Sequence, residues 1–245
     1  MTGAAAPVQV GLLECDHVGE QLRDIGGDYS DMFRGLLANA TSRLELVPYD
    51  VVAGELPDDP ARHPAWLITG SSYSVFDDER WISELLDLIR RVNAGGQRLV
   101  GVCFGHQAIA HALGGATARS NRGWGVGIHA ADIVRTRRWM QPRREQLRLV
   151  MSHQDQVVAV PQNATVLART QHCDVAMLEI GDRLLGIQGH PEYTTEYARA
   201  LLETRLDRIP HELAVAARAT FSDDTDAVPV SEWIARFLGQ AESAI

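Results

Sequence analysis

A chain of 245 residues with 45% hydrophobic and 22% charged side chains has the composition of an ordinary soluble globular protein, long enough for one large α/β domain or two small ones. Its net charge of −9 argues against a general nucleic-acid binder, which needs a lysine and arginine surplus to neutralise phosphates, and no apolar run approaches the length of a membrane span. Three widely spaced cysteines do not make a disulfide framework, and MTGAAAPVQVGLLECDH has neither the basic start nor the apolar run of a leader, so a reducing, cytoplasmic setting is expected.

In chain order, VQVGLL (8–13) reads as a first strand. DYSDMFRGLLANA follows as a helix with Met32, Phe33, Leu36 and Leu37 on one face. RLELVPYDV is a second strand and AWLITG (65–70) a third. Asp77 and Asp78 open a longer helix, in which Trp81, Ile82, Leu85, Leu86, Ile89 and Val92 keep helical spacing until Gly95 and Gly96 end it. RLVGV (98–102) is the next strand. From about Gly123 to Val160 the segments GWGVGIHAADIVRT, RLVMSH and DQVVAV read as shorter strands in hairpins, and two more flank Gly181-Asp182. From Thr194 the pattern is helical to SEWIARFLGQAESAI, interrupted by the polar stretch Phe221–Pro229. The rhythm predicts an α/β fold with a mostly parallel central sheet covered on both faces. Residues 1–200 form the domain, and 201–245 a helical extension packed on it.

The chemistry concentrates in RLVGVCFGHQAIAHALGG (98–115). A strand ends on Cys103, between Gly101 and Gly105, and turns at once into a helix. A nucleophile on such an elbow needs small neighbours so that backbone can approach closely. A helix N-terminus, with its unpaired N–H groups and partial positive charge, also favours thiolate over the ordinary pKa of ~8.5. Local sequence alone admits a second reading, a packed thiol at a strand end. The segment GIQGHPEY (186–193) narrows the choice. Pro191 favours extended backbone at His190, and residues two apart on extended backbone project to one side. His190 and Glu192 are thus a base beside a carboxylate that can orient it, the nucleophile–base–orienter pattern of a triad.

GVCFGHQ and GHPE together resemble the two signatures of class I glutamine amidotransferases, and the resemblance runs from residue 8 to about 200. Through ITGS (68–71) and MSHQDQV (151–157) it is closest to the stand-alone branch related to the amidotransferase domain of GMP synthase. The resemblance implies a flavodoxin-like sheet with no cofactor and no metal. It implies that Cys103 attacks the γ-carbonyl of a glutaminyl group, that His190 moves the proton and that Glu192 orients the ring. The oxyanion donors are the N–H groups of Gly70 and Phe104. Gln107 falls at the glutamine-contacting position, and Ser71, Trp124, Ser152 and His153 fall in segments that line the pocket. Trp124 serves equally as core. The chain departs from the pattern after Gly70, where GSSYSV lacks the further glycine and proline of many members.

Other signals carry less. Cys15 and Cys173 lack an elbow and read as packed thiols. His153 with Asp155 falls short of a metal ligand set. His106 and His111, five apart, do not share a helix face as ligands. RTRRWMQPRRE (135–145) reads as a solvated hairpin before a docking site, and DDTD (223–226) as a helix-start loop. GWGVG lacks the spacing of a dinucleotide site, and no phosphate loop is present. Sequons at Asn39 and Asn163 mean little in a reducing compartment. With no ATP-using module, the chain hydrolyses the γ-amide of glutamine, supplying ammonia to a separate synthetase or acceptor subunit, or acts alone on γ-glutamyl, glutathione-like compounds. A silent glutamine-binding subunit is the remaining option, against which Cys103, His190 and Glu192 are all present.

Overall fold

The computed structural model describes residues 6–38 and 40–239; Asn39 of the first sequon and the last predicted helical residues, 240–245, lie outside them. The described residues form eleven strands; helices separate the first five, and β5 to β11 follow one another without a helix between them. The parallel half is built from β1 (Val8–Glu14), β2 (Leu44–Asp50), β3 (Ala65–Ile68) and β4 (Arg98–Val102). Next come β5 (Ala116–Arg119), β6 (Gly125–Ile133), β7 (Gln146–His153), β8 (Asp155–Ala159), β9 (Ala164–Arg169), β10 (Met177–Ile180) and β11 (Leu184–Ile187). The main sheet has the order β2-β1-β3-β4-β11-β10-β9-β6-β7, and β5 and β8 pair separately. Only β10 and β6 run against the other strands of the main sheet. The sheet is therefore mixed and mostly parallel.

The central strands are buried on both faces, which is why they read as continuous apolar runs. In β1, Leu12 joins one core and Leu13 the other; in β3, Leu67 and Trp66 divide the same way. On the Leu12 side lie α2 (Tyr29–Leu37), α5 (Thr195–Glu203), α6 (His211–Thr220) and α7 (Ala227–Leu238), contributing Phe33, Leu201, Ala217, Trp233 and Phe237. On the Leu13 side lie α3 (Arg80–Gly95) and α4 (Phe104–Ala112), with Leu85, Ile89 and Ile109. A short α1 (Glu20–Gly26), which buries only Leu22, precedes α2.

Two boundaries differ from expectation for local reasons. The α3 helix begins at Arg80, because Asp77 is spent on a turn: its carboxylate accepts from the Ser74 N–H at 2.8 Å. The arginine-rich β6–β7 connection is solvated only in part. Trp139 and Met140 are buried, Trp139 packs against Trp233 and Phe237, and the Trp233 Nε1–H donates to the Pro142 carbonyl at 3.0 Å. At the other polar stretch, Asp226 does sit at a helix start, and its carboxylate accepts from the Arg148 N–H. No described helix is long and apolar enough to cross a membrane.

Candidate active site

Three neighbouring parallel strands, β3, β4 and β11, end at one edge of the sheet. Their carboxyl ends deliver Gly70, Cys103 and the segment leading to His190, which is where ligands bind in open α/β sheets. Between β4 and α4 the chain reverses in a single residue. Cys103 adopts φ 51°, ψ −102°, one of two described non-glycine residues with positive φ. That strain is held in place by the Cys103 N–H donating to the Ile187 carbonyl at 2.8 Å and by the Gln107 N–H closing the first turn onto the Cys103 carbonyl at 3.1 Å. As the first residue of α4, Phe104 has an N–H with no acceptor inside the helix.

His190 is aligned by three contacts. Its N–H donates to the Val150 carbonyl at 2.8 Å, its Nδ1 lies 2.8 Å from Glu192 Oε1, and its ring stacks on Tyr193 with centroids 4.0 Å apart and planes within 3°. Gly70 closes the far side, where a Cβ would stand 3.0 Å from His190 Cε1 and 3.7 Å from Cys103 Cβ. The pair is buried, His190 at 3% exposure and Glu192 at 6%. Burial alone would pull the His190 pKa down. The charges of Glu192 and Cys103 outweigh it and raise the pKa to about 10, so the ring holds its proton at neutral pH. Glu192 fixes Nδ1, leaving Nε2 as the nitrogen available to the thiol.

The Gly70 loop, whose sequence departs from the usual pattern, is fixed by side chains instead. Thr69 Oγ1 donates to the Gly70 carbonyl at 2.9 Å, Asp16 accepts from the Ser72 N–H at 2.7 Å, and Ser71 Oγ accepts from the Tyr73 N–H at 3.2 Å. The Gly105 N–H donates to the Thr69 carbonyl at 3.2 Å, tying this loop to the elbow.

Above Cys103 opens a cavity of about 330 Å³. Of the residues the sequence singled out, Cys103, Gln107, Ser71, Trp124, Ser152 and His153 line it. Gly70, Phe104, His190 and Glu192 are not among its lining residues. Trp124 lines the cavity and is half-buried against the core. Gln107 is held by its Nε2, which donates to the Asp155 carbonyl at 2.8 Å and to Gln188 Oε1 at 3.2 Å. His153 is buried and bonds the Asp155 carbonyl through Nδ1 at 3.1 Å; burial drives its pKa down to about 3, so it is neutral.

One side chain beside Cys103 and three arginines of the cavity wall were not anticipated in a binding role. Gln188 Nε2 approaches Cys103 Sγ at 3.6 Å. It precedes His190 by two on the same extended segment, so the alternation that pairs His190 with Glu192 already contained it. Arg119 ends β5, while Arg205 and Arg208 lie together in the turns after α5, and no local pattern marks them. Cys15 and Cys173 are buried thiols; burial raises the first well above its ordinary range and the second to about 12. Among the described residues no group of three or more histidine, cysteine or carboxylate side chains is disposed to hold a metal ion.

Comparison with known proteins gives a consistent picture. The family model described as glutamine amidotransferase class-I matches residues 21–208. Gamma-glutamyl peptidase 4 of Arabidopsis thaliana is 34% identical over 192 residues, covering 75% of this chain and 73% of the relative. The glutamine-hydrolysing GMP synthase of Aeropyrum pernix is 29% identical over 198 residues, 79% of this chain but 37% of that protein. A crystal structure of a glutamine amidotransferase from Thermotoga maritima superposes with a TM-score of 0.74 at 19% identity, over 96% of this chain and 99% of the other.

Proposed function

Because this chain belongs to the class I glutamine amidotransferase family, we propose that it hydrolyses the amide bond at the γ-carbonyl of γ-glutamyl compounds, with small γ-glutamyl peptides as substrates. The observation that carries this reading is Cys103 held at positive φ on its elbow beside the buried His190–Glu192 pair. The naming of the Arabidopsis relative as a γ-glutamyl peptidase supports the substrate class.

The chemistry follows from the groups present. Cys103 Sγ attacks the γ-carbonyl carbon, and the thiol proton resides on His190 Nε2. The carbonyl oxygen, now an oxyanion, accepts from the N–H groups of Phe104 and Gly70; one such donor is typically worth ~2.7–4 kcal/mol. His190 passes its proton to the leaving nitrogen as the C–N bond breaks, leaving a γ-glutamyl thioester. Water then attacks the thioester carbon, its proton goes to His190, and the C–S bond breaks to release glutamate. The proton returns to the Cys103–His190 pair. Glu192 stabilises the imidazolium throughout without itself taking a proton.

A second reading, in which the amide of free glutamine is cleaved and ammonia passes to a separate synthetase subunit, is favoured by the match to the GMP synthase relative over little more than a third of its length. The deciding experiment measures glutamate released from glutathione and from glutamine, with Cys103→Ala as control. Faster release from glutathione supports the peptidase reading, and turnover of glutamine alone supports the ammonia-supplying one. Glutamate release that survives in Cys103→Ala overturns both.

A further inference from the structure

The walls of the cavity carry more positive charge than the reaction uses. Three guanidinium groups face it, from Arg119, Arg205 and Arg208, against one carboxylate, Asp155, in a chain that is strongly acidic overall. Asp155 is matched locally: Ser74 Oγ donates to it, and Arg119 Nε lies 3.7 Å away. Arg205 has no such match among the described residues. A single nitrogen, Nη1, donates to Ser152 Oγ at 2.7 Å and to the Ser152 carbonyl at 3.4 Å, both neutral acceptors. A guanidinium has five N–H donors in a planar fork, so most of this one is uncommitted. Arg208 lies three residues on in a run of turns, and its nearest carboxylate is the exposed Asp207 at 3.9 Å.

The place where Arg205 is anchored has a length built into it. Ser152 lies two residues beyond Val150 on β7, and Val150 is the residue bridged to His190. Two residues of extended strand advance ~7 Å and keep the same face. Two residues of extended peptide likewise reach ~7 Å. A leaving group whose nitrogen takes the proton of His190 therefore brings its carboxylate level with Arg205 when it is two residues long. Ammonia leaving from glutamine reaches nothing there.

We propose that Arg205, assisted by Arg208, binds the C-terminal carboxylate of a two-residue leaving group and so selects γ-glutamyl tripeptides over free glutamine and over γ-glutamyl compounds without that carboxylate. The assignment rests on the γ-glutamyl hydrolase reading above and specifies its leaving group. A carboxylate meets an arginine through two parallel charge-assisted hydrogen bonds, and neutralising the carboxylate removes them.

The test compares kcat/KM for γ-Glu-Cys-Gly with that for the same tripeptide amidated at its C-terminus, in the wild type and in Arg205→Gln, Arg205→Lys and Arg208→Gln. The wild type is expected to prefer the free acid by about tenfold or more, the range for hydrogen bonds to charged groups. That preference should reside mainly in KM, collapse toward one in Arg205→Gln, recover in part in Arg205→Lys, and fall in Arg208→Gln, whose side chain is exposed. Equal turnover of acid and amide by the wild type overturns the Arg205 assignment while leaving γ-glutamyl hydrolysis standing. A preference that persists undiminished in both glutamine variants also overturns it. Failure to release glutamate from either tripeptide overturns the hydrolase reading itself, and the assignment with it.

Discussion

Gly101 and Gly105 meet across the elbow with no space for a side chain between them. A Cβ on Gly101 would stand 2.3 Å from the Gly105 carbonyl carbon and oxygen, and one on Gly105 would stand 2.6 Å from the Ile68 carbonyl oxygen. Both obstacles are backbone, so no rotamer change relieves them, and the helix would have to lift away from β4. Overpacking a core typically costs ~1–3 kcal/mol. Gly101→Ala is expected at or beyond the upper end, read as a lowered urea midpoint together with lost turnover. Gly35→Ala supplies the control, since its Cβ would meet nothing within 4 Å and alanine is favoured in a helix by up to about 1 kcal/mol. A Gly101→Ala variant as stable and active as the wild type would show that the elbow does not depend on this contact.

At Cys103 the strain and the chemistry reside in the same residue, and substitution separates them. Alanine removes the thiol but keeps a Cβ at φ 51°; glycine removes both. Residues held in sparsely populated backbone regions cost of order ~1–3 kcal/mol. Cys103→Gly is therefore expected to be more stable than Cys103→Ala by about 1 kcal/mol, with both inactive. Denaturant unfolding of the two proteins side by side measures the difference. Equal midpoints would mean that the surrounding hydrogen bonds, not the Cβ, set the conformation of this residue.

The Glu192 carboxylate raises the His190 pKa, which sets a sign for pH effects. A histidine whose folded pKa lies above its unfolded value of ~6.5 adds stability in full below that value. The contribution is lost as pH rises toward the folded value of about 10. In Glu192→Gln the attracting charge is gone and burial remains, so the folded pKa falls. The alkaline limb of kcat/KM, where the ring loses its proton, is then expected to move to lower pH, and the rate to drop by about 10²–10⁴-fold, the usual range for an acid–base group. A pH–rate profile of the variant measures both. An alkaline limb left in place would separate Glu192 from the titration of His190.

The parallel half of the fold was legible because β1, β3 and β4 are mostly buried on both faces and announce themselves as apolar runs, while β2, a half-exposed edge strand, still carries Leu44, Leu46 and Val47. The elements that escaped notice lack that signal for physical reasons. β5, Ala-Thr-Ala-Arg, is half-exposed and pairs only with β8, and α1 turns a single leucine inward. At the site, the elbow and the His190–Glu192 pair were legible because each lies within a few residues of sequence and obeys a period. The arginines of the cavity wall were not. Arg205 reaches Ser152 across 53 positions, and Trp139 is buried by residues of α7 more than 90 positions later. Such contacts are made by the topology of the chain, and no local pattern encodes them.

Two buried histidines, His106 and His153, make the fold sensitive to acid. His106 lies under β11 with no exposure, and burial lowers its pKa to about 4; His153 is lowered to about 3 by the same cause, with nearby His172 adding to it. Below ~6.5 the unfolded chain takes up these protons and the folded chain does not, so stability falls as pH falls. Each group contributes about 1.4 kcal/mol per pH unit between the unfolded and folded values. His190 adds nothing to this slope, because it is protonated in both states there. The measurement is unfolding free energy at several pH values from 7 to 4 for the wild type and His106→Leu. The variant is expected to show a slope shallower by up to one proton, whatever its stability at neutral pH. Identical slopes would mean that His106 finds a proton-accepting arrangement inside the fold. Because His106 lies in the first turn of α4 and Cys103 immediately precedes that helix, acid opening at the first is expected to remove the helix behind the nucleophile as well, with activity and stability lost over the same pH range.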